Sequence, residues 1–212
     1  MTEIEDDGIV ELWPTKIMRR RVHNFTEANQ VLIALLEDME AANKNLTTDY
    51  LAPDLFNMDH PAVGWLRENV NKTVFEYLRG VGVDYQVNWT IQGWANINRM
   101  GDYHDMHNHP RSYLSGTYYL KVPKGTDTPH NRADVRPNHI TFYDPRQGVN
   151  MMSIRDDPYI DPEYTVLPEP GLMMLWPGFL NHFVHPNLSQ ETRISISFNI
   201  VLKWQDHYLP DQ

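Results

Sequence analysis

"YQVNWTIQGWANINRM", residues 85–100, is where the hydrophobic pattern of this 212-residue chain changes period. Tyr85, Val87, Trp89 and Ile91 alternate with polar residues, and Trp94, Asn96 and Asn98 then share one face. Successive side chains of an extended segment point to opposite sides, so a period of two predicts β-strand. Upstream the period is three to four. In "NFTEANQVLIALLEDMEAANKN" Leu32, Leu35, Leu36 and Met39 fall at helical spacing, behind polar residues suited to a helix start. "HPAVGWLRENVNKTVFEYLRGVG" predicts a second helix, with Pro61 in its first turn, Val63, Leu66, Val70, Val74 and Leu78 on one face, and Gly80 or Gly82 at its stop.

Downstream the strands continue: "SYLSGTYYLKV", "HITFYD", "YTVL", "LMMLWP" and "RISISFNIVLKW", with Pro, Gly, Asn and Asp clusters between them. Many short strands punctuated by turns predict a sandwich, jelly roll or barrel. The expected organisation is one domain over 1–212, with a mainly helical flank over 1–84 and a β core over 85–205. The Pro- and acid-rich stretches "KGTDTPHNRADVRPN" and "IRDDPYIDPEY" read as long loops of the kind that form lids or binding loops.

Composition narrows the partners. A formal charge of −10 argues against nucleic acid, whose binders need clustered Lys and Arg to displace counterions. Apolar runs are broken well before a membrane-spanning length, and the acidic start "MTEIEDDGIVELWP" is unlike a secretory signal, so a soluble, cytoplasmic protein with no membrane partner is expected. The chain has no cysteine, which removes disulfides, thiolate ligands and cysteine nucleophiles. Any metal site must use His, Asp or Glu.

"HDMHNHPRSYLSGTYYLKVP", residues 104–123, supplies the imidazoles. His107 and His109, two apart on an extended segment, project from the same face and form a candidate metal-ligand pair. A third histidine, His182, follows the turn "PGFLN". Arg193 opens the strongest alternating strand in the chain, sharing a face with Ser195, Ser197 and Asn199, opposite Ile194, Ile196, Phe198 and Ile200. His23, His60, His130, His139 and His207 read as ordinary surface or hydrogen-bonded histidines. His104, Asp105 and His185 stand between the two groups.

The order of paired histidines, tyrosine-rich strand, isolated histidine and Arg-x-Ser resembles the Fe(II)/2-oxoglutarate-dependent dioxygenases, in their prolyl-hydroxylase-like branch. The resemblance runs from about Trp94 to Trp204, on "GDYHDMHNHP", where the family has G-x-x-Y-x-x-H-x-D, and on "SGTYYL", "PGFLNHFVHP" and "RISIS". It implies a double-stranded β-helix, a cupin-like jelly roll, with flanking N-terminal α-helices. It implies Fe(II) on His107 and His182, and 2-oxoglutarate held at its far carboxylate by Tyr119, Arg193 and Ser195. The departure is His109, which stands where the family has an acid; it is taken as the third ligand, with Asp105 or another carboxylate as the alternative.

The function so implied is hydroxylation of an unidentified small-molecule or peptide substrate by O2, with release of succinate and CO2. Two alternatives remain open: a three-histidine metal oxygenase that does not use 2-oxoglutarate, and a non-catalytic cupin-like binding protein. A homodimer is plausible by analogy with the fold alone.

Overall fold

A computed structural model describes residues 12–47, 55–127, 134–146, 148, 154, 157 and 159–209. The chain is mainly β: among the described residues nine strands form two antiparallel sheets, flanked by two α-helices. The strands are β1 (Met18–Arg21), β2 (Trp89–Asn98), β3 (His104–His107), β4 (Leu114–Lys121), β5 (Ile140–Tyr143), β6 (Glu163–Val166), β7 (Leu172–Pro177), β8 (His182–Val184) and β9 (Arg193–Leu202). The larger sheet has the order β1-β7-β4-β9-β2 and the smaller β3-β8-β5-β6. The two sheets enclose a cavity between their inner faces, a jelly-roll arrangement.

The helices are α1 (Phe25–Ala42) and α2 (Pro61–Gly80). The His60 side chain accepts from the Ala62 amide at the start of α2, as an N-cap does. Its end is a Schellman closure: the Val83 amide donates to the Leu78 carbonyl, the Gly82 amide donates to the Arg79 carbonyl, and Gly82 takes φ +91°. Of the two glycines predicted to stop the helix, Gly82 therefore performs the turn.

Both helices bury their apolar stripes against the outer face of the larger sheet. Leu32 and Leu36 of α1, and Val63, Leu66, Val70 and Val74 of α2, share one core with Ile194, Ile196, Phe198 and Ile200 of β9. Polar bonds fix the docking. Buried Asn29 of α1 donates to the Leu120 carbonyl at 3.1 Å and accepts from the Tyr118 hydroxyl at 2.6 Å. Trp65 of α2 meets the Tyr118 ring edge-on. Tyr118 thus serves the helix side, and the pleat turns Tyr119 to the cavity.

Three features differ from the sequence reading. Residues 18–21 form an edge strand on β7, although they lie within the stretch read as mainly helical. The strand read from Tyr85 begins at Trp89, where pairing with Leu202 of β9 starts. His109 lies just beyond the end of β3, whose pairing with β8 is interrupted by a bulge between His104 and His107. Parts of both predicted long loops, and His130, lie outside the described residues.

Gly116 lies where β4 passes over Phe198, and an added Cβ would come within 2.4 Å of that ring and 2.6 Å of the Met174 carbonyl oxygen. The carbonyl belongs to a paired strand and cannot step aside. Gly116→Ala is expected to destabilise the fold by about 1–3 kcal/mol, read as a lower urea midpoint with unchanged m-value.

Candidate metal and carboxylate site

The inner face of the larger sheet is built from alternate residues of four strands. Register aligns Ser115 of β4 with Trp176 of β7 on one side and Asn199 of β9 on the other, and Asn199 with Gln92 of β2. Moving along the sheet, the next rows are Thr117, Ser197 and Trp94, then Tyr119, Ser195 and Asn96, then Arg193 beside Asn98. On β2 and β9 exposure falls along these rows, from exposed Gln92 and half-buried Asn199 to buried Asn98 and Arg193, whereas Ser115 and Trp176 are buried already in the first row. The cavity therefore has a mouth at Gln92 and Asn199 and a floor at Arg193. Its volume is about 760 Å³.

The smaller sheet contributes the histidines. His107, His109 and His182 each offer a ring nitrogen, and these atoms lie within 4.8 Å of one another. Among the described residues no carboxylate joins them. His182 opens β8 and is 3 % exposed; its Nδ1 lies 3.0 Å from the Leu180 carbonyl, which makes Nδ1 the N–H donor and leaves Nε2 as the free lone pair. His107 is fixed in the same way, with Nδ1 at 2.5 Å from the Asp105 carbonyl. The His109 ring stacks on His182 at 5.2 Å and faces Trp94 at 5.8 Å.

The backbone holds the two histidine-bearing segments together. The His109 amide donates to the Gly178 carbonyl at 2.8 Å, and the Gly178 amide donates to the Tyr113 carbonyl. A Cβ on Gly178 would sit 2.3 Å from the Ser112 carbonyl oxygen, so only glycine lets these segments approach so closely.

Electrostatics suit cation binding. Burial pushes the pKa of His182 down to about 3, with the neighbouring His107 adding to the effect. His109 is pushed down to about 4 by burial and then by His107. Both rings are neutral bases at physiological pH, the form a metal requires.

Arg193 is 1 % exposed. Its Nη1 donates to the His185 carbonyl at 2.7 Å and to Asn138 Oδ1 at 3.4 Å. Its Nη2 is buried with no hydrogen-bond partner. Burial lowers its pKa to about 10, with Tyr119 and Asp102 acting in the opposite direction, so it stays protonated at neutral pH. A cation in that state, lacking one bond, is costly unless an anion completes it. Tyr119 and Ser195 line the same floor; burial raises the Tyr119 pKa, and its hydroxyl is a neutral donor.

All six residues singled out from the sequence thus line one cavity. His104 lines it too, its Nε2 3.2 Å from Asn98 Nδ2. Trp94, Asn96 and Asn98 border it. Asp105 is exposed and accepts from the Met106 amide. His185 stands behind the site, its ring bonded to Thr141 and its carbonyl to Arg193. Arg146 pairs with Asp144 and the Tyr159 carbonyl at a separate groove. Two positions beside these residues went unread. Asn138 is a buried asparagine at φ +63° whose contact with Arg193 spans 55 residues, a link no local pattern announces. Trp176 was read only as part of a strand, yet it flanks His182 at 4.9 Å, with a buried Nε1 that has no partner.

Residues 92–199 match the family model described as "Putative 2OG-Fe(II) oxygenase". No curated protein matches the chain in sequence. Among solved structures, a Pseudomonas putida prolyl-4-hydroxylase is similar at 11 % identity and TM-score 0.61, covering 90 % of this chain and 89 % of that one. A Trichoplax adhaerens prolyl hydroxylase, solved with a hypoxia inducible factor oxygen degradation domain peptide fragment, is similar at 11 % identity and TM-score 0.59, covering 92 % and 87 %. HygX from Streptomyces hygroscopicus, solved with nickel and 2-oxoglutarate bound, is similar at 11 % identity and TM-score 0.57, covering 90 % and 83 %. At such identities the shared property is the fold.

The lowered histidines also set a pH dependence for the metal-free protein. Unfolded, His109 and His182 titrate near 6.5; folded, they resist protonation until pH 4 or below. Between these values the unfolded chain binds more protons, so stability is complete above pH 6.5 and falls as the pH drops. Urea midpoints measured with chelator present should decline from pH 7 to pH 5, and His182→Asn should flatten that decline.

Proposed function

The chain belongs to the 2OG-Fe(II) oxygenase family, and from that premise we propose that His107, His109 and His182 hold Fe(II) while Tyr119, Arg193 and Ser195 hold 2-oxoglutarate. The observation that carries this reading is the unpartnered Nη2 of Arg193, buried on the floor of the cavity whose wall carries the three imidazoles. A planar guanidinium is the natural clamp for a carboxylate, and charge-assisted bonds there fix both position and angle. That free donor favours a 2-oxoglutarate-dependent enzyme over a three-histidine oxygenase that ignores the co-substrate.

The donor set fits the metal. Three imidazole nitrogens on one side, with each fixed tautomer presenting Nε2, leave the opposite side open, as oxygenase iron requires. Three neutral ligands leave the centre one unit more positive than two histidines and an acid would, which strengthens attraction for a dianionic co-substrate. When bound, Fe(II) supplies the O2 activation that couples 2-oxoglutarate decarboxylation to hydroxylation of a substrate, with succinate and CO2 as co-products.

The protein's own residues bind, orient and keep water out. Arg193, donating from Nη2, holds the far carboxylate; Ser195 Oγ adds a donor from the same strand and the Tyr119 hydroxyl one from the neighbouring β4. Trp94 and Trp176 flank the imidazoles and shield the centre from solvent. No side chain acts as a general base. The substrate, a small molecule or a peptide, enters at the mouth by Gln92, Asn57 and Asn199.

Anaerobically Fe(II)-loaded protein is expected to release succinate and CO2 from 2-oxoglutarate on admission of O2, uncoupled or with substrate. His182→Ala should lose iron on desalting, measured by metal analysis. Arg193→Ala should retain iron but weaken 2-oxoglutarate binding by about a hundredfold in calorimetry. Absence of both succinate release and 2-oxoglutarate binding by the wild type overturns the assignment.

A further inference from the structure

Resting on the reading of Arg193 as the carboxylate anchor, we propose that Asn138 is a positioning residue. With the His185 carbonyl it sets how far the Arg193 guanidinium stands from the histidine cluster, and so the length of 2-oxo dicarboxylate the cavity accepts. Both oxygens grip the same nitrogen: Nη1 donates to the His185 carbonyl at 2.7 Å and to Asn138 Oδ1 at 3.4 Å. With Nη1 so occupied, the planar group has one remaining direction in which to offer Nη2. A long side chain that would otherwise sample many rotamers is held in one.

The clasp belongs to the opposite sheet from Arg193. Asn138 lies just before β5 and His185 just after β8, and the two segments are laced to each other. The Asn138 amide donates to the Pro186 carbonyl at 3.1 Å, and the His185 amide donates to the His139 carbonyl at 2.9 Å. The His185 ring is tied to Thr141 Oγ1 at 2.8 Å. His182 is three residues upstream of His185, at the start of β8. The anchor on β9 is therefore tied directly to the strand that carries a metal-site histidine. A co-substrate gripped at both ends must match the span this tie defines, and one methylene more or less misplaces one end.

Asn138 is suited to this place by its backbone. At φ +63° most side chains are strained, whereas asparagine tolerates the left-handed region and still offers a carbonyl oxygen. Two substitutions separate its contributions. Asn138→Gly keeps the backbone conformation and deletes the oxygen. Asn138→Asp keeps the shape and introduces a carboxylate that competes for Arg193.

The experiment is calorimetric titration of anaerobic, Fe(II)-loaded protein with 2-oxoglutarate and with 2-oxoadipate, one methylene longer, alongside iron content and melting temperature. Wild type should prefer 2-oxoglutarate. Asn138→Gly should melt and hold iron like wild type, bind 2-oxoglutarate about tenfold more weakly, and discriminate less between the two acids. Asn138→Asp should bind 2-oxoglutarate more weakly still. Wild-type binding by the glycine variant, equal weakening for both acids, or 2-oxoglutarate binding by the aspartate variant as good as the glycine variant's overturns the inference. Iron-loaded wild type that binds neither acid instead overturns the anchor reading itself, so the two failures are told apart.

Discussion

Strand β9 is paired on both edges, with β2 and β4, and its pleat divides residues 193–200 between two environments that could hardly differ more. On one side Ile194, Ile196, Phe198 and Ile200 are sealed under the helices. On the other, Arg193, Ser195, Ser197 and Asn199 line the cavity. A slip of one residue would drive the guanidinium into the apolar core, so the helix packing and the site are specified by the same register. Burial of the apolar face is what holds an incompletely satisfied arginine at the bottom of a pocket, because the strand has no other way to lie.

The three clustered histidines rely on a looser framework. β3 is four residues long, its pairing is broken by a bulge, and His109 lies outside it altogether. Precision comes instead from backbone bonds: Leu180 and Asp105 carbonyls orient the rings of His182 and His107, and the Gly178 carbonyl holds the amide of His109. The reason for drawing these imidazoles from short, irregular segments is geometric. Three donors that meet at a point while leaving one side open cannot all come from a single flat strand, and a bulge with a following turn brings the third one around.

Much of this was legible in the residues. The change of period, the two-faced pattern of β9 and the helical stripes of α1 and α2 are local signals; the helices and β9 formed where their patterns predicted, and the strand read from Tyr85 formed from Trp89, where β9 offers it a partner. What escaped reading is non-local. β1 carries four residues, three of them arginines, and becomes a strand only because β7 offers it an edge. Asn138 has no neighbours that mark it, since its meaning lies in a contact with Arg193 that the fold creates. The pairing of His107 with His109 was found from strand geometry, although His109 is in fact placed by the Gly178 carbonyl and the turn beyond the strand.

Charge accounting on the cavity wall links the two halves of the site. Among the described lining residues, Arg193 is the only one with a formal charge; the others are apolar, amide, hydroxyl, indole or imidazole groups, and His104, His109 and His182 are held neutral by burial. A divalent cation at the triad would bring the total to three positive charges with no lining carboxylate to offset them. A dianion spanning from the metal to the guanidinium removes two of these and leaves the balance near that of a two-histidine, one-acid centre loaded with the same co-substrate, plus one. On the proposed reading, His109 in place of an acid removes a carboxylate that would attract the cation and repel the dianion, so the bound 2-oxo acid supplies the negative charge that the donor set lacks. For a cation at such a triad, a dianion on Arg193 is then the one source of negative charge among the groups described on the cavity wall.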